Sequence, residues 1–322
     1  MQVFSRFGVA ALCLLAVLLA PAIAQVATAA EPLTSLYAAA PNAPGAQGPL
    51  SVQQVAQVDQ PSHQAEDAAS MNALAMAYAK GPASLPRDIL KARIWAEKSA
   101  QLGDKEGQFL FYQTVLQGPE WNYRDAEGKT DEKKYQELAD RPLTERGLDQ
   151  QAYNMLARSA EQGNPNALAS VIATLLVKTA PNANSRALAL IERAPTDVAK
   201  KFQSTRQSLQ LVVRNFGQTY TSLNTFKNAI NTVYLMARIK AGLQENQGCS
   251  VAKGFLLSKI SLTRPLTDAQ YLPVDGILKN FYLVKGHWQE AWDVDVCGKV
   301  VSVPIEFQAD GLGGANFQAA SN

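Results

Sequence analysis

The feature that most constrains this chain is a pattern that recurs. Ser70, Ala73, Leu74, Ala77 and Tyr78 occupy the i, i+3, i+4, i+7, i+8 grid of one helix face, and Gly81 stands where such a helix ends. A second helix begins after Pro86, with Asp88 near its start, where a carboxylate suits the helix dipole. Its face carries Ala92, Trp95, Ser99 and Ala100, and Gly103 closes it. A shift of 37 carries Ser70, Leu74, Tyr78 and Gly81 onto Gly107, Phe111, Val115 and Gly118. A shift of 60 carries the second-helix set onto Ala152, Met155, Ser159, Ala160 and Gly163, and carries Gly107, Phe111 and Val115 onto Ala167, Val171 and Leu175. Ser185–Ala194, closed by Pro195, reads as a last, degraded second helix. The recurrence predicts about three helix pairs. A lone pair cannot bury its apolar face, so the pairs must stack.

These residues resemble the Sel-one-like repeat family, short relatives of the tetratricopeptide repeat. The likeness rests on Leu74-Ala75-x-x-Tyr78-x-x-Gly81, then Asp88-x-x-Lys91-Ala92-x-x-Trp95, then Lys98-Ser99-Ala100-x-x-Gly103. It covers 66–118 and 148–194. The resemblance implies a right-handed α-solenoid that acts as a scaffold or adaptor for another protein, commonly in exported bacterial proteins. Some exported members staple each repeat with a cysteine pair. This chain has no cysteine between Gln25 and Gly248, so nothing is carried over from those members.

In stacked helix pairs the first helices line the concave side, the usual binding surface of a solenoid. Leu74, Tyr78 and Phe111 are used for packing. Asn72, Met76, Phe109, Tyr112 and Gln113 are left on the flank that faces the groove, and these five are the candidate binding residues. Phe109 and Tyr112 carry the expectation, because aromatic side chains are favoured interface anchors. The competing reading packs both against a neighbouring repeat or the insert that follows them.

Residues 1–24 read as a secretory signal peptide. Arg6 precedes an uncharged apolar run from Phe7 to Ala20, Pro21 breaks it, and Ala22-Ile23-Ala24 offers a small-x-small cleavage site. The run is too short to span a bilayer of ~30 Å. An uncleaved membrane anchor and a later cut after Ala27-Thr28-Ala29 are the alternatives. Residues 25–65 are rich in Ala, Pro, Gly and Gln and read as a flexible linker. The expectation is a periplasmic or secreted protein with no membrane span after cleavage. The full chain has 30 Lys and Arg against 28 Asp and Glu, so no general field favours nucleic acid or anionic membranes.

With Cys13 removed, Cys249 and Cys297 are an even pair in an oxidising compartment, which predicts one disulfide. It closes a loop of about 49 residues, worth ~4 kcal/mol in the chain-entropy picture. A metal site needs more ligands than His63 and His287 supply, and no metal or cofactor is expected.

The solenoid is assigned to 66–195, with a charged insert at 119–147 read as a solvated loop with a short helix. Within the insert, Gly128-Lys129-Thr130 lacks the first glycine of a phosphate loop, and Asp125-Ala126-Glu127-Gly128 lacks calcium-loop spacing. Residues 196–248 read as a helical cap, with one helix over Phe202–Tyr220 and another over Phe226–Ala237. Lys200, Lys201, Arg206, Arg214, Lys227, Arg238 and Lys240 make that segment basic. Residues 249–322 read as a small α+β domain: strands over Gln289–Val296 and Val300–Phe307 around a Cys297-Gly298-Lys299 turn, a further strand over Leu278–Val284, and a turn-rich tail at 310–314.

The expected fold is therefore mainly α, a solenoid of about three helix pairs with a helical cap and a small β-containing carboxy-terminal domain. Asp293 and Asp295 share a strand face, but two acids on a solvent face are far commoner than a glycosidase dyad. No catalytic residue is assigned. The leading function is a non-enzymatic scaffold for another protein. Two alternatives stand beside it: the carboxy-terminal domain binds cell-wall glycan or another anionic polymer, or the chain is an enzyme whose site the sequence does not display.

Overall fold

The computed structural model describes residues 67–82, 85–125, 127–243 and 254–320. The signal peptide, the linker and Cys249 lie outside the described residues.

The helix pairs form where the recurrence places them. The first is α1 (Ala68–Lys80) with α2 (Ile89–Gln101); the second is α3 (Lys105–Leu116) with α5 (Gly147–Glu161); the third is α6 (Pro165–Val177) with α7 (Ala183–Arg193). The insert separates the two helices of the second pair and carries α4 (Glu132–Asp140). Each helix of the stack contacts the next in sequence, and α1 also contacts α3.

Local chemistry fixes the helix ends. Asp67, Asp88, Asp104 and Asn164 each cap a helix by accepting from a main-chain N–H two or three residues on. The turns between pairs repeat in detail. Gly103 and Gly163 both stand at φ 82°, and the N–H groups of Asp104 and Asn164 donate back to the carbonyls of Ser99 and Ser159. The Ser99 hydroxyl reaches the carbonyl of Ala68 and the Ser159 hydroxyl that of Lys105, so each second helix is tied to the start of its own first helix.

Small residues set the helix spacing. Ala92, Ala96, Ala152, Ala157 and Ala167 are almost fully buried, with Leu74, Phe111, Leu156, Val171 and Leu175 filling the space between them. Trp95, expected as inner core, is half-buried between the first repeat's cluster and the main one, with the Lys98 ammonium 4.1 Å from its ring centre. Its large ring lies at the rim, where Ala92 and Ala96 take the interior.

The cap divides differently from expectation. α8 (Thr196–Lys201) and α9 (Gln203–Asn215) extend the solenoid core through Val198, Phe202, Leu209 and Val212. The helix expected to run on to Tyr220 ends at Asn215. α10 (Leu223–Ala241) leaves the solenoid and lies on the carboxy-terminal sheet through Ala229, Val233 and Ala237. Their small side chains let a helix approach a sheet rich in aromatics. The basic residues do not form one surface: Arg206 and Arg214 pair with Glu192 on the solenoid, and Lys240 donates to the Ser302 carbonyl on the sheet.

The sheet is antiparallel, ordered β1 (Phe255–Tyr271), β2 (Leu283–Val296), β3 (Lys299–Ala309), β4 (Ala315–Ala319). Trp288, Trp292, Val303 and Phe307 face α10, and Asp293 and Asp295 share the opposite, wetter face. β1 was not foreseen. Pro265 and several charges interrupt its pattern, which an edge strand with register shifts around Arg264 tolerates. The strand expected over Leu278–Val284 is instead a short 3-10 turn at Gly276–Leu278 leading into β2. Its apolar side chains are there for the solenoid: Leu278, Phe281 and Tyr282 join the main helical core, and Phe281 packs edge-on to Tyr153 at 4.8 Å. Among the described residues no helix is long and apolar enough to cross a membrane, and no group of three or more His, Cys, Asp or Glu converges on a metal position.

Gly107 marks a close approach of α3 to α2. A Cβ built there would lie 2.3 Å from the Ser99 hydroxyl oxygen and 2.8 Å from the main-chain nitrogen of Ala100. Gly107→Ala should push α3 off α2 and cost about 2 kcal/mol, the cost of overpacking, lowering the melting temperature by roughly 4–8 °C. An unchanged melting temperature would show that the pair relaxes freely.

Candidate functional site

The first helices do line a groove, but the groove is walled. α3 and α6 form its floor. The insert closes one side, while the start of α10 and the β3–β4 loop at 310–314 close the other. Between them lies a cleft of about 500 Å³. Five aromatic side chains line it, Tyr112, Trp121, Tyr123, Tyr135 and Tyr153, together with aliphatic ones such as Leu116 and Val177. Its polar lining comes from Ser170, Thr174 and Lys178 on or just after α6, Asn224, Thr225 and Asn228 on α10, and Asp310 in the loop.

Each wall has a local cause. Trp121 closes the 3-10 turn Pro119–Trp121 that comes after α3, and Tyr123 meets Tyr135 of α4 edge-on at 5.6 Å. The insert, expected to be a solvated loop, is exposed on its outer face and ends in a buried charge. Arg146 is 1% exposed and donates to the carbonyls of Leu138, Ala139, Arg141 and Gly311. The loop at 310–314, expected as a turn-rich tail, is held as firmly. Asp310 accepts from the N–H groups of Leu312 and Gly314, each at 2.8 Å, and its other oxygen accepts from the Tyr135 hydroxyl at 3.3 Å. The Lys178 ammonium donates to the carbonyl of Leu312, and the Thr179 N–H donates to that of Gly313 at 2.6 Å. Gly311 stands at φ 83°, and a Cβ there would lie 2.2 Å from the Ala139 carbonyl oxygen. No other residue type fits.

Burial governs the ionisation of these groups. Tyr135 is raised to about 12 by burial first and the Asp310 charge second. Asp149, paired with Arg141 at 2.7 Å, is nonetheless raised, because burial outweighs the attraction of Arg141 and Arg146. Burial lowers the Lys178 ammonium from its ordinary 10.5 to about 8, against the pull of Asp310 and Asp149 and with Arg146 adding to the fall. Tyr282, pushed upward by burial, lies under that ammonium with its ring centre 4.5 Å away.

The five candidate binding residues do not form one site. Tyr112 lies on the cleft floor, 3% exposed and stacked with Phe109 at 6.3 Å. Phe109, 5% exposed, belongs to the same core and does not line the cleft. Asn72 is buried and donates to the Asp104 carboxylate at 2.7 Å, so it ties α1 to the residue that caps α3. Met76 and Gln113 are half-buried, Met76 against the main core, and neither lines the cleft. The reason is geometric: a solenoid this short curls, and the flank left free in one pair is covered by the next pair or the insert. The residues missed were the insert aromatics and the asparagines of α10. Their signal was present, as three aromatics inside a charged segment and Asn224 and Asn228 one helical turn apart.

The molecule is thus a helix-pair solenoid docked against a sheet domain, with a cleft of about 500 Å³ where they meet. Two segments match the Sel1 repeat, residues 68–104 and 146–164, which span α1 with α2 and the length of α5 with the turn into α6. Nothing among the curated proteins matches the chain, and nothing among the solved structures does.

The Lys178 proton supplies a check on the closed cleft. An unfolded chain keeps that proton to about 10.4, so between about 8 and 10 the folded protein binds fewer protons than the unfolded one. The cost of burying this group is therefore full below pH 8 and fades as pH rises. The 13Cε resonance of Lys178 should titrate with a midpoint near 8. A midpoint above 10 would mean that water reaches the ammonium freely and the loop is open.

Proposed function

We propose that this chain is an exported, non-enzymatic scaffold or adaptor that holds a segment of another protein in the aromatic cleft. Sel1 repeats are generally protein-interaction scaffolds. The observation that carries the reading is the cleft itself. The concave side of α3 and α6 is kept open, and aromatic faces with a few polar groups line it, which is the composition of a recognition site.

Export rests on residues 1–24, and a periplasmic or secreted location follows from it. The same compartment favours a disulfide between Cys249 and Cys297. Intact-mass measurement of the mature protein should show a gain of two hydrogens on reduction, and a start at Gln25. Two free thiols in the native protein would refute the pairing.

The binding surface is tested by placing a photo-crosslinking amino acid at Tyr123 in the cleft and at Leu211 on α9, an exposed position outside it. Irradiation in the producing cell should yield a protease-sensitive adduct from position 123 and none from 211. Adducts from 211 alone would move the interface to the outer surface of the solenoid.

A further inference from the structure

The groove already holds a piece of main chain. The loop at 310–314 lies along it, and three successive carbonyls, those of Gly311, Leu312 and Gly313, are taken by Arg146, Lys178 and the Thr179 N–H. The donors read backbone rather than side chain, and the cleft is the open continuation of that interface.

On the same side of the cleft, Asn224 and Asn228 of α10 are exposed, and neither makes a side-chain hydrogen bond among the described residues. Thr225, between them, is buried and bonded to the hydroxyls of Thr179 and Ser222, so this turn of α10 is pinned against the end of α6. Four helical residues rise about 6 Å, so the two carboxamides form a short ladder at that spacing. An extended chain turns the N–H and C=O of every second residue to the same edge, at a repeat of about 6.6 Å. A carboxamide both donates and accepts, and can satisfy the C=O and N–H of one such residue.

Charge agrees with this. The two ionic lining groups, Lys178 and Asp310, are opposite in sign and both bonded to the protein's own loop, so the cleft presents no net charge. That complements an uncharged backbone. Tyr123 and Trp121, opposite the asparagines, offer aromatic faces for a side chain projecting the other way.

We propose that the cleft binds an extended polypeptide segment by its main chain, with Asn224 and Asn228 contacting alternate residues and the Trp121–Tyr123 wall receiving one large apolar side chain. This rests on the polypeptide reading above and adds the mode of recognition.

The test uses the full mature chain and a phage-displayed library of random 12-residue peptides. Enriched sequences should share a large apolar residue. Synthetic copies are then titrated by fluorescence polarisation against the wild type, Asn224→Ala/Asn228→Ala and Tyr123→Ala, each checked for an unchanged thermal melt. The asparagine double variant should weaken binding at least tenfold. Single N-methylation along the peptide should weaken it at alternating positions and leave the intervening ones unaffected. If Tyr123→Ala weakens binding but the double variant and the N-methyl scan show neither effect, the main-chain mode is wrong and the polypeptide reading stands. If no peptide is enriched, or enriched peptides ignore Tyr123→Ala, the polypeptide reading of the cleft falls, and this inference with it.

Discussion

One buried guanidinium holds the two halves of this molecule in register. Arg146 sits where the insert ends and α5 begins, and its N–H groups are spent on four carbonyls. Three belong to the insert and one to the β3–β4 loop more than a hundred and sixty residues away in sequence. A buried cation without partners is very unfavourable, so any arrangement that withdraws those carbonyls is penalised heavily. Asp149 offsets part of the charge, since Arg146 draws its pKa down against the rise that burial causes. Insert, loop and second repeat therefore move as a unit, and the cleft inherits its walls from that unit.

A second buried ion does similar work in the sheet domain. Glu290 is fully buried on the inner face of β2 between two tryptophans. Its oxygens accept from the indoles of Trp288 and Trp292, the hydroxyl of Thr219 and the N–H of Tyr220. Burial raises its pKa, and the four donors work against that rise. All four are donors, so the site is shaped for the carboxylate and not for an amide of the same size. What it fixes is the crossing from α9 to α10, and with it the direction in which α10 presents Asn224 and Asn228. Both ions are better understood as devices that select one arrangement than as sources of net stability.

The expected open groove and the observed walled cleft differ in what they can recognise. An open solenoid face offers area. A cleft with an aromatic wall and spaced amides on its rim offers orientation. The change comes from three segments that repeat logic treats as interruptions: the insert, the start of α10 and the loop at 310–314. Tyr112 and Phe109, three positions apart on the same helix, are both buried, yet only Tyr112 borders the cleft. A spacing of three residues rotates a side chain by 300°, so two neighbours on a helical flank can differ in fate once a second layer packs against one of them.

The sequence by itself determined the helix pairs, their caps and their turns. Those depend on interactions within a few residues: an Asp or Asn accepting from the next turn, a Gly taking positive φ, small and large side chains alternating at helical spacing. It also displayed β2 and β3 through their alternation. It did not display β1, whose pattern is broken by Pro265, nor the role of Leu278, Phe281 and Tyr282, whose apolar character serves the solenoid and not a strand. Only the tertiary structure decided that α10 belongs to the sheet, that the insert and the 310–314 loop meet, and that a cleft opens between them. The physical reason is range. Hydrogen bonds such as Arg146 to Gly311 or Thr219 to Glu290 join residues far apart in the chain. Nothing in the local period of either segment encodes where its partner will be.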